Sequence, residues 1–473
     1  MISYQTVKSI QGPLVFIQKT ENIGYQELVK IRDKYGKEVT GQVIALEKDV
    51  AVVQVFDNVA GLQIKEAEAI FTGETKKIAL SPTILGRIFN GYGDPIDGKD
   101  KIKGVEVDVN EGFSANMKGP LPFRYNDING KAINPFRRSE PHDFIQTGIS
   151  AIDSNITVVK GQKIPIFSGS GLPDLEILSQ IATKSQTNDP GDKFVVVVAA
   201  VGISYDQYVY LKEELDKSKA LSRSVMFVNL ASDPVVERIL TPRLALTVSE
   251  YLAYELDFSV LTLIFDLTNY AGAMREISTA KKEIPGRSGY PGYLYTDLAS
   301  LLERAGTVEG KKGSITQIPI LTMPNDDVTH VVPDLTGYIT EGQIVLDRSL
   351  HKQNIYPPIN ILPSLSRLKD KGQGEGKTRE DHSQVADQLF ASLAESNNQQ
   401  ELALVLGRDS LTETGKKYLE FSAMYHEKFL NQGRQSRSIA ETLDTAWELF
   451  SILPSEELKK LKPAMVSKYG KAK

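Results

Sequence analysis

Six short runs in the middle of the chain are apolar almost throughout, and helical spacing separates them. They are KIPIF (163–167), FVVVVAA (194–200), SVMFVNL (224–230), VLTLIFD (260–266), SITQIPILT (314–322) and QIVLD (343–347). Strands with one wet face alternate apolar and polar residues; these do not, so both faces must be buried. Between them lie stretches such as PVVERILTPRLALTVSEYLAYEL (234–256) and YTDLASLLERAG (295–306), which read as helices. A strand–helix–strand alternation of this kind folds as a doubly wound parallel sheet with helices on both faces.

The flanking regions have other textures. Residues 1–75 hold short strand-like runs: GPLVFIQ, ELVKIR, GQVIALEKDVAVVQVF and EAIFTG. Turn signals recur at Asp33 to Gly36, Asp57-Asn58 and Thr72-Gly73, and Val39, Gly41, Val43 and Ala45 share one face. This pattern predicts a small β-barrel or sandwich. Residues 76–372 form the central sheet unit. From 373 to 473 the runs QVADQLFASLA, KKYLEFSAMYHEKFL and AETLDTAWELFSIL space apolar residues by three and four, which predicts a helical bundle. The fold class expected is therefore multidomain α/β.

Composition narrows the function. A net charge of −5 and the absence of a basic, aromatic-rich stretch argue against nucleic-acid binding. With no cysteine, disulfides, thiolate metal sites and thiol catalysis are excluded. His142, His330, His351, His382 and His426 are scattered without metal-ligand spacing, and His330 and His382 read as surface or capping residues. No metal site is expected. The longest apolar run, FVVVVAAV (194–201), is far short of the roughly 20 residues that span a bilayer. The start MISYQTVKSIQG has no signal-peptide pattern. These features predict a cytoplasmic chain without direct membrane insertion.

A glycine-bearing loop follows the first of the six runs, where a nucleotide-binding sheet places its phosphate cradle. Laid on G-x-x-x-x-G-K-[ST], the loop reads Ser168, Gly169, Ser170, Gly171, Leu172, Pro173, Asp174, Leu175. Ser168 and Pro173 replace the two glycines, Asp174 the lysine and Leu175 the Mg²⁺-binding hydroxyl. Asp174 sets a negative charge where phosphate charge would lie, and Pro173 removes a backbone donor. The loop is not expected to bind Mg-ATP. The GKT of GQGEGKT (372–378) has the wrong glycine spacing and no buried strand before it. Asp266, ending VLTLIFD, stands where such enzymes order Mg²⁺ and reads as a vestige. After FVVVVAA, Ser204 and Tyr205 stand where a catalytic base would sit, and Asp206 and Glu213 read as a solvated helix face.

Long stretches identify the chain with a family. SGSGLPDLEI, NLASDPVVERILTPRLALTVSEYLAYE, DLTNYAGAMREISTAKKEIPGRSGYPGYLYTDLASLLERAG, SITQIPILTMPNDD and PSLSRLKDKGQGEGKTREDH resemble the B subunits of V/A-type rotary ATPases, over essentially the whole chain. The lack of long terminal extensions points to the prokaryotic form. The resemblance implies a six-stranded barrel, a RecA-like central domain and a helical bundle. It implies a ring of three catalytic A and three non-catalytic B subunits, with a central rotor stalk and a peripheral stalk. The chain would lie peripheral to the membrane through that complex. Members commonly carry a His and another polar residue where Asp174 and Leu175 stand, so this loop departs further still.

The resemblance also assigns a role. In PSLSRLKDKG it places an arginine finger on Arg367, acting in trans on Mg-ATP or Mg-ADP at a shared interface, held mainly by the catalytic partner. Leu365 and Leu368 would anchor the segment while Arg367 projects. Tyr338 in LTGYITEGQI would line the same interface. Arg275 would sit at an interface or, preferably, pair with Glu276 or Glu283 on its own helix. The loop GRSGYPGY (286–293) would face the rotor. The chain itself would not be catalytic, while the complex would couple ATP hydrolysis or synthesis to H⁺ or Na⁺ transport. Two other functions share the fold: an autonomous ATPase, which lacks its lysine, hydroxyl and base here, and a ring-shaped nucleic-acid translocase, which the charge disfavours.

Overall fold

In the computed structural model, residues 2–4, 7–18, 23–56, 61–63, 67–102 and 123–470 are described. The Asp57-Asn58 turn lies outside them. The N-terminal unit is an antiparallel sheet of seven strands: Ile2–Tyr4, Val7–Gln11, Leu14–Gln18, Leu28–Arg32, Glu38–Leu46, Val50–Val55 and Glu68–Phe71. Ile2–Tyr4 pairs with Glu68–Phe71 at one end of the strand order and Val7–Gln11 with Leu14–Gln18 at the other. These two end strands are consecutive in sequence, so the sheet closes on itself. Counting Ile2–Tyr4 and Val7–Gln11 separately, the described residues hold seven strands where the resemblance implies a barrel of six. Its core holds Val15, Ile17, Val29, Ile31, Val39, Val43 and Val53. At the Asp33 turn one carboxylate oxygen accepts from the N–H groups of Tyr35 and Lys37, both at 2.9 Å.

The central sheet runs in the order Ile359–Ser366, Gly342–Leu346, Ile166–Gly169, Ser314–Met323, Ser259–Phe265, Phe194–Ile203, Ser224–Leu230, Arg87–Asn90. Every neighbouring pair on this path is parallel except the first, which is antiparallel. The two faces of Phe194–Ile203 feed different cores. Val196, Val198 and Ala200 pack with Ile177 and Ile181 of helix Asp174–Lys184 and with Leu211 of helix Tyr205–Lys217. Val195, Val197, Ala199 and Val201 pack with Leu244, Val248 and Tyr251 of helix Val235–Leu256 and with Leu267, Leu298 and Val332. The strand is buried on both sides, as its unbroken apolar run predicts.

The C-terminal unit is helical: His382–Leu406, Glu413–Met424 continuing into a π-helical turn at Tyr425–Leu430, and Ile439–Phe450. Val385, Leu389, Phe421, Phe429 and Trp447 join the first of the two sheet cores rather than forming one of their own. A buried polar knot pins the junction. The Trp447 indole donates to Asp381 at 2.7 Å, and Arg379 adds two hydrogen bonds at 2.7 and 2.9 Å. His382 is not a surface residue, contrary to expectation. It is fully buried, with Nε2–H donating to the Ser154 carbonyl at 2.9 Å and Nδ1 3.0 Å from the Thr378 hydroxyl. Burial pushes its pKa down to about 4. The GKT residues are absorbed here: Thr378 accepts from Gly374 N–H at 2.9 Å, and Lys377 Nζ donates to the Lys371 carbonyl at 2.6 Å.

Candidate functional site: a closed loop and an exposed arginine

Strand Ile166–Gly169 ends, four residues turn, and helix Asp174–Lys184 begins. The strand–loop–helix frame of a phosphate cradle is therefore present, but two of its amide donors are spent within the loop. Leu172 N–H bonds the Gly169 carbonyl at 3.0 Å and Asp174 N–H bonds the Leu172 carbonyl at 2.9 Å. Pro173 has no N–H to offer. Leu175 is buried in the core beneath the helix. A salt bridge braces the loop from outside. Arg348 reaches Asp326 with Nε at 2.6 Å and Nη2 at 2.8 Å, and the same Nη2 donates to the Ser170 carbonyl at 2.9 Å. Asp326 lies so close to Gly169 that a Cβ there would meet its Oδ1 at 1.9 Å.

Two carboxylates face this niche. Burial pushes the Asp174 carboxyl up to about 6; a hydrogen bond from Ser168 opposes the shift and the charge of Asp266 adds to it. Asp266 is raised too, by burial, although it accepts from Thr322 Oγ1 at 2.6 Å and Thr268 N at 2.7 Å. The residues present do not fit a nucleotide polyphosphate: the lysine and hydroxyl are replaced by an acid and a buried leucine, and the amides of Leu172 and Asp174 are taken.

The raised Asp174 pKa has a consequence for stability. The folded state holds this proton to about pH 6, whereas an unfolded Asp releases it near pH 4. Stability therefore falls as pH rises through that window, and the penalty persists above it. Asp174→Asn is expected to melt at a higher temperature than the wild type at pH 7.5, with the gain vanishing below about pH 4. Thermal melts across pH check this, and an unchanged or lower melting temperature at pH 7.5 contradicts it.

No base takes the missing catalytic position. Ser204 is consumed as a helix cap, its hydroxyl accepting from Gln207 N at 3.2 Å while Gln207 Oε1 accepts from Ser204 N at 2.9 Å. Asp206 is exposed and Glu213 pairs with Lys217 at 2.9 Å, as a solvated face should.

Arg367 lies directly after strand Ile359–Ser366, a strand the sequence pattern missed. Its side chain is exposed. Its backbone N–H donates to the Glu341 carbonyl at 2.8 Å, and Nη1 donates to the Thr340 carbonyl at 3.2 Å. Among the described residues no carboxylate comes within ion-pair distance of it. Leu365 is not an anchor, as was expected, but 51% exposed beside it; the buried neighbours are Ser364 and Ser366. The reason is strand alternation: over the last part of this strand Pro363 and Leu365 point outward with Arg367, although Ile359 and Ile361 before them are buried. Register puts Arg367 far from its own loop. Ser366 pairs with Gly342, at the start of the strand whose other end lies beside the loop. Gly342 to Leu346 is about 13 Å of strand at ~3.3 Å per residue, so the guanidinium cannot serve the niche of its own chain.

Tyr338 is 75% exposed, two residues before the carbonyl that holds Arg367, so the two share one edge. Arg275 does not join them. It pairs with neither Glu276 nor Glu283 but lies over the Tyr290 ring, 5.1 Å from its centroid, and Glu283 is taken by Lys281 at 2.6 Å. The segment 286–293 folds back on the body, with Arg287 donating to Asp334 at 2.6 Å and Gly286 N bonding the Tyr290 carbonyl at 2.7 Å. Tyr290 in turn stands edge-on to His330, which caps helix Val331–Ile339. Arg275 is thus at the opposite end of that helix from Tyr338. Among the described residues, no cluster of three or more His, Cys, Asp or Glu could hold a metal, and no helix is long and apolar enough to cross a membrane.

Three family models match the chain in turn. The beta-barrel domain of the ATP synthase alpha/beta family matches residues 7–73, and the nucleotide-binding domain of the same family matches 148–366. The C-terminal domain of V and A type ATP synthase matches 371–470. Among solved structures the chain is similar to a unique ATP synthase subunit, NeqB, from Nanoarcheaum equitans. The two are 40% identical, the match covers 93% of this chain and 98% of that one, and the TM-score is 0.70.

Proposed function

Because the chain belongs to the ATP synthase alpha/beta family and carries the C-terminal domain of the V and A types, we propose that it is the non-catalytic B subunit of a V/A-type rotary ATP synthase or ATPase. Three copies alternate with three catalytic A subunits around a central rotor stalk, with a peripheral stalk outside. The observation that carries this proposal is the pairing of a closed, acidic phosphate loop with an exposed guanidinium held by the Thr340 carbonyl. A chain that cannot seat Mg-ATP in its own niche presents Arg367 to the nucleotide of a neighbour. There the forked donors meet the γ-phosphate oxygens as charge develops on them. Tyr338 lines the same contact. This chain holds no nucleotide tightly; Mg-ATP or Mg-ADP is held by the partner's intact loop. Other subunits couple the turnover to H⁺ or Na⁺ transport, and the assembly sits at the cytoplasmic face of the membrane.

Purification with and without a chain bearing an intact G-x-x-x-x-G-K-[ST] tests the proposal. Alone, the protein is expected to bind Mg-ATP no tighter than millimolar and to hydrolyse none above background. Together, the two are expected to co-elute as a hexamer with ATPase activity. Micromolar Mg-ATP binding by the isolated chain would overturn the proposal.

A further inference from the structure

The segment carrying Arg367 is fastened to an ion-pair relay that starts just before the strand of the closed loop. Lys163, only 5% exposed, lies three residues before strand Ile166–Gly169. Its Nζ meets Glu341 Oε1 at 2.5 Å and Glu303 Oε1 at 3.4 Å. Its backbone joins in: Lys163 N–H donates to Glu341 Oε2 at 2.8 Å, and Glu341 N–H donates to the Lys163 carbonyl at 3.0 Å. Glu303 is itself held by Arg138 at 2.7 Å. Glu341 is thus gripped at both its side chain and its amide. Its carbonyl accepts the Arg367 N–H, and the carbonyl one residue earlier accepts the Arg367 guanidinium.

Two further contacts fix the same spot. Gln162 Nε2 donates to Ser366 Oγ at 2.9 Å. At Gly342 a Cβ would meet the Leu365 carbonyl at 2.0 Å, so the two strands touch backbone to backbone immediately before Arg367.

We infer that Glu341, clamped by Lys163, is a positioning residue for Arg367: it sets where the guanidinium stands relative to a neighbour's nucleotide. The inference rests on the proposed trans role of Arg367. A long, exposed arginine has many rotamers, and a transition-state contact is sensitive to misplacement of about 1 Å. Two adjacent carbonyls at a strand end restrict the arginine, and the pairing of Glu341 with the buried Lys163 keeps those carbonyls in place. Lys163 and Glu341 are 178 residues apart, so the clamp also ties the base of the closed-loop strand to the edge strand that bears the arginine.

Glu341→Gln in the assembled complex is the test, because the amide keeps the shape and removes the charge. The expected result is a roughly tenfold drop in kcat with KM within twofold, an unchanged yield of assembled complex, and no further drop when Glu341→Gln is added to Arg367→Ala. Equal drops in both backgrounds, or an unchanged kcat, overturn the inference. An Arg367→Ala complex that turns over like the wild type overturns the underlying proposal instead, which separates the two failures. Lys163→Gln breaks the same pair from the other side. If neither variant assembles, the pair is structural only and the positioning role is wrong.

Discussion

Replacing Arg367 with Ala is expected to lower ATP turnover by the assembled complex roughly 10³–10⁵-fold, equivalent to about 4–7 kcal/mol of transition-state stabilisation. The size follows from what phosphoryl transfer asks of a protein: position, and compensation of charge spreading over the transferring group. An arginine supplies both, since it stays charged at any working pH and its planar fork fits two oxygens at once. Lysine in its place keeps the charge and loses the fork, so Arg367→Lys should restore only a small part of the rate. Assembly should survive either change, because the side chain is exposed and, among the described residues, makes a single hydrogen bond, to the Thr340 carbonyl. Reconstitution with the catalytic partner, followed by steady-state kinetics, gives the answer. A rate within tenfold of the wild type would remove the finger from Arg367.

The second large effect concerns folding. Arg304 is completely buried. Its guanidinium meets Glu250 twice, at 2.6 and 2.7 Å, and donates to Thr247 Oγ1 at 2.8 Å, the Ile128 carbonyl at 3.1 Å and the Arg243 carbonyl at 3.4 Å. It thereby ties helix Val235–Leu256 to the segment that leaves strand Arg124–Asp127. A Cβ at Gly130 would lie 2.4 Å from its Cζ, so the chain wraps the guanidinium closely. Arg304→Ala leaves the Glu250 carboxylate without its partner, removes one of the two donors to the Ile128 carbonyl and opens a cavity. Breaking a buried pair from one side costs about 3–5 kcal/mol, and that is the loss expected here. The urea midpoint and the melting temperature of the full chain measure it. A loss below about 1 kcal/mol would mean that water replaces the guanidinium and the site is not dry.

Parts of this architecture were open to reading before any coordinates. Continuous apolar runs such as SVMFVNL gave strand 224–230 to the residue, because a strand buried on both faces leaves an unambiguous trace. The edge strand Ile359–Ser366 left none. Its Pro357–Pro358 approach and Pro363 look like a broken loop, yet it ends the strand order, where a missing N–H faces away from any neighbour and is tolerated. Missing it led to Leu365 being assigned an inward role. At the loop, the replacements at Asp174 and Leu175 were plain from spacing alone. The Arg348–Asp326 brace and the Lys163–Glu341 clamp were not. Each joins residues far apart in sequence, and a solitary charge in a sequence does not say whether it meets water or a partner. His382 went wrong for the same reason: only packing against Ser154 shows that its ring is enclosed.

The helices after residue 373 borrow their apolar lining from one side of the parallel sheet. Their removal would leave that side a bare hydrocarbon wall, so a version of this protein cut short before them should come out of cells as aggregate. Swinging them as a door on a hinge would break a shared core. Phe421 and Trp447 belong to the same dry contact network as Val196 and Val198, and displacing one set strips the other of close neighbours. A push delivered to the far helices is therefore felt at the strands themselves, as force on one end of a casting is felt at the other.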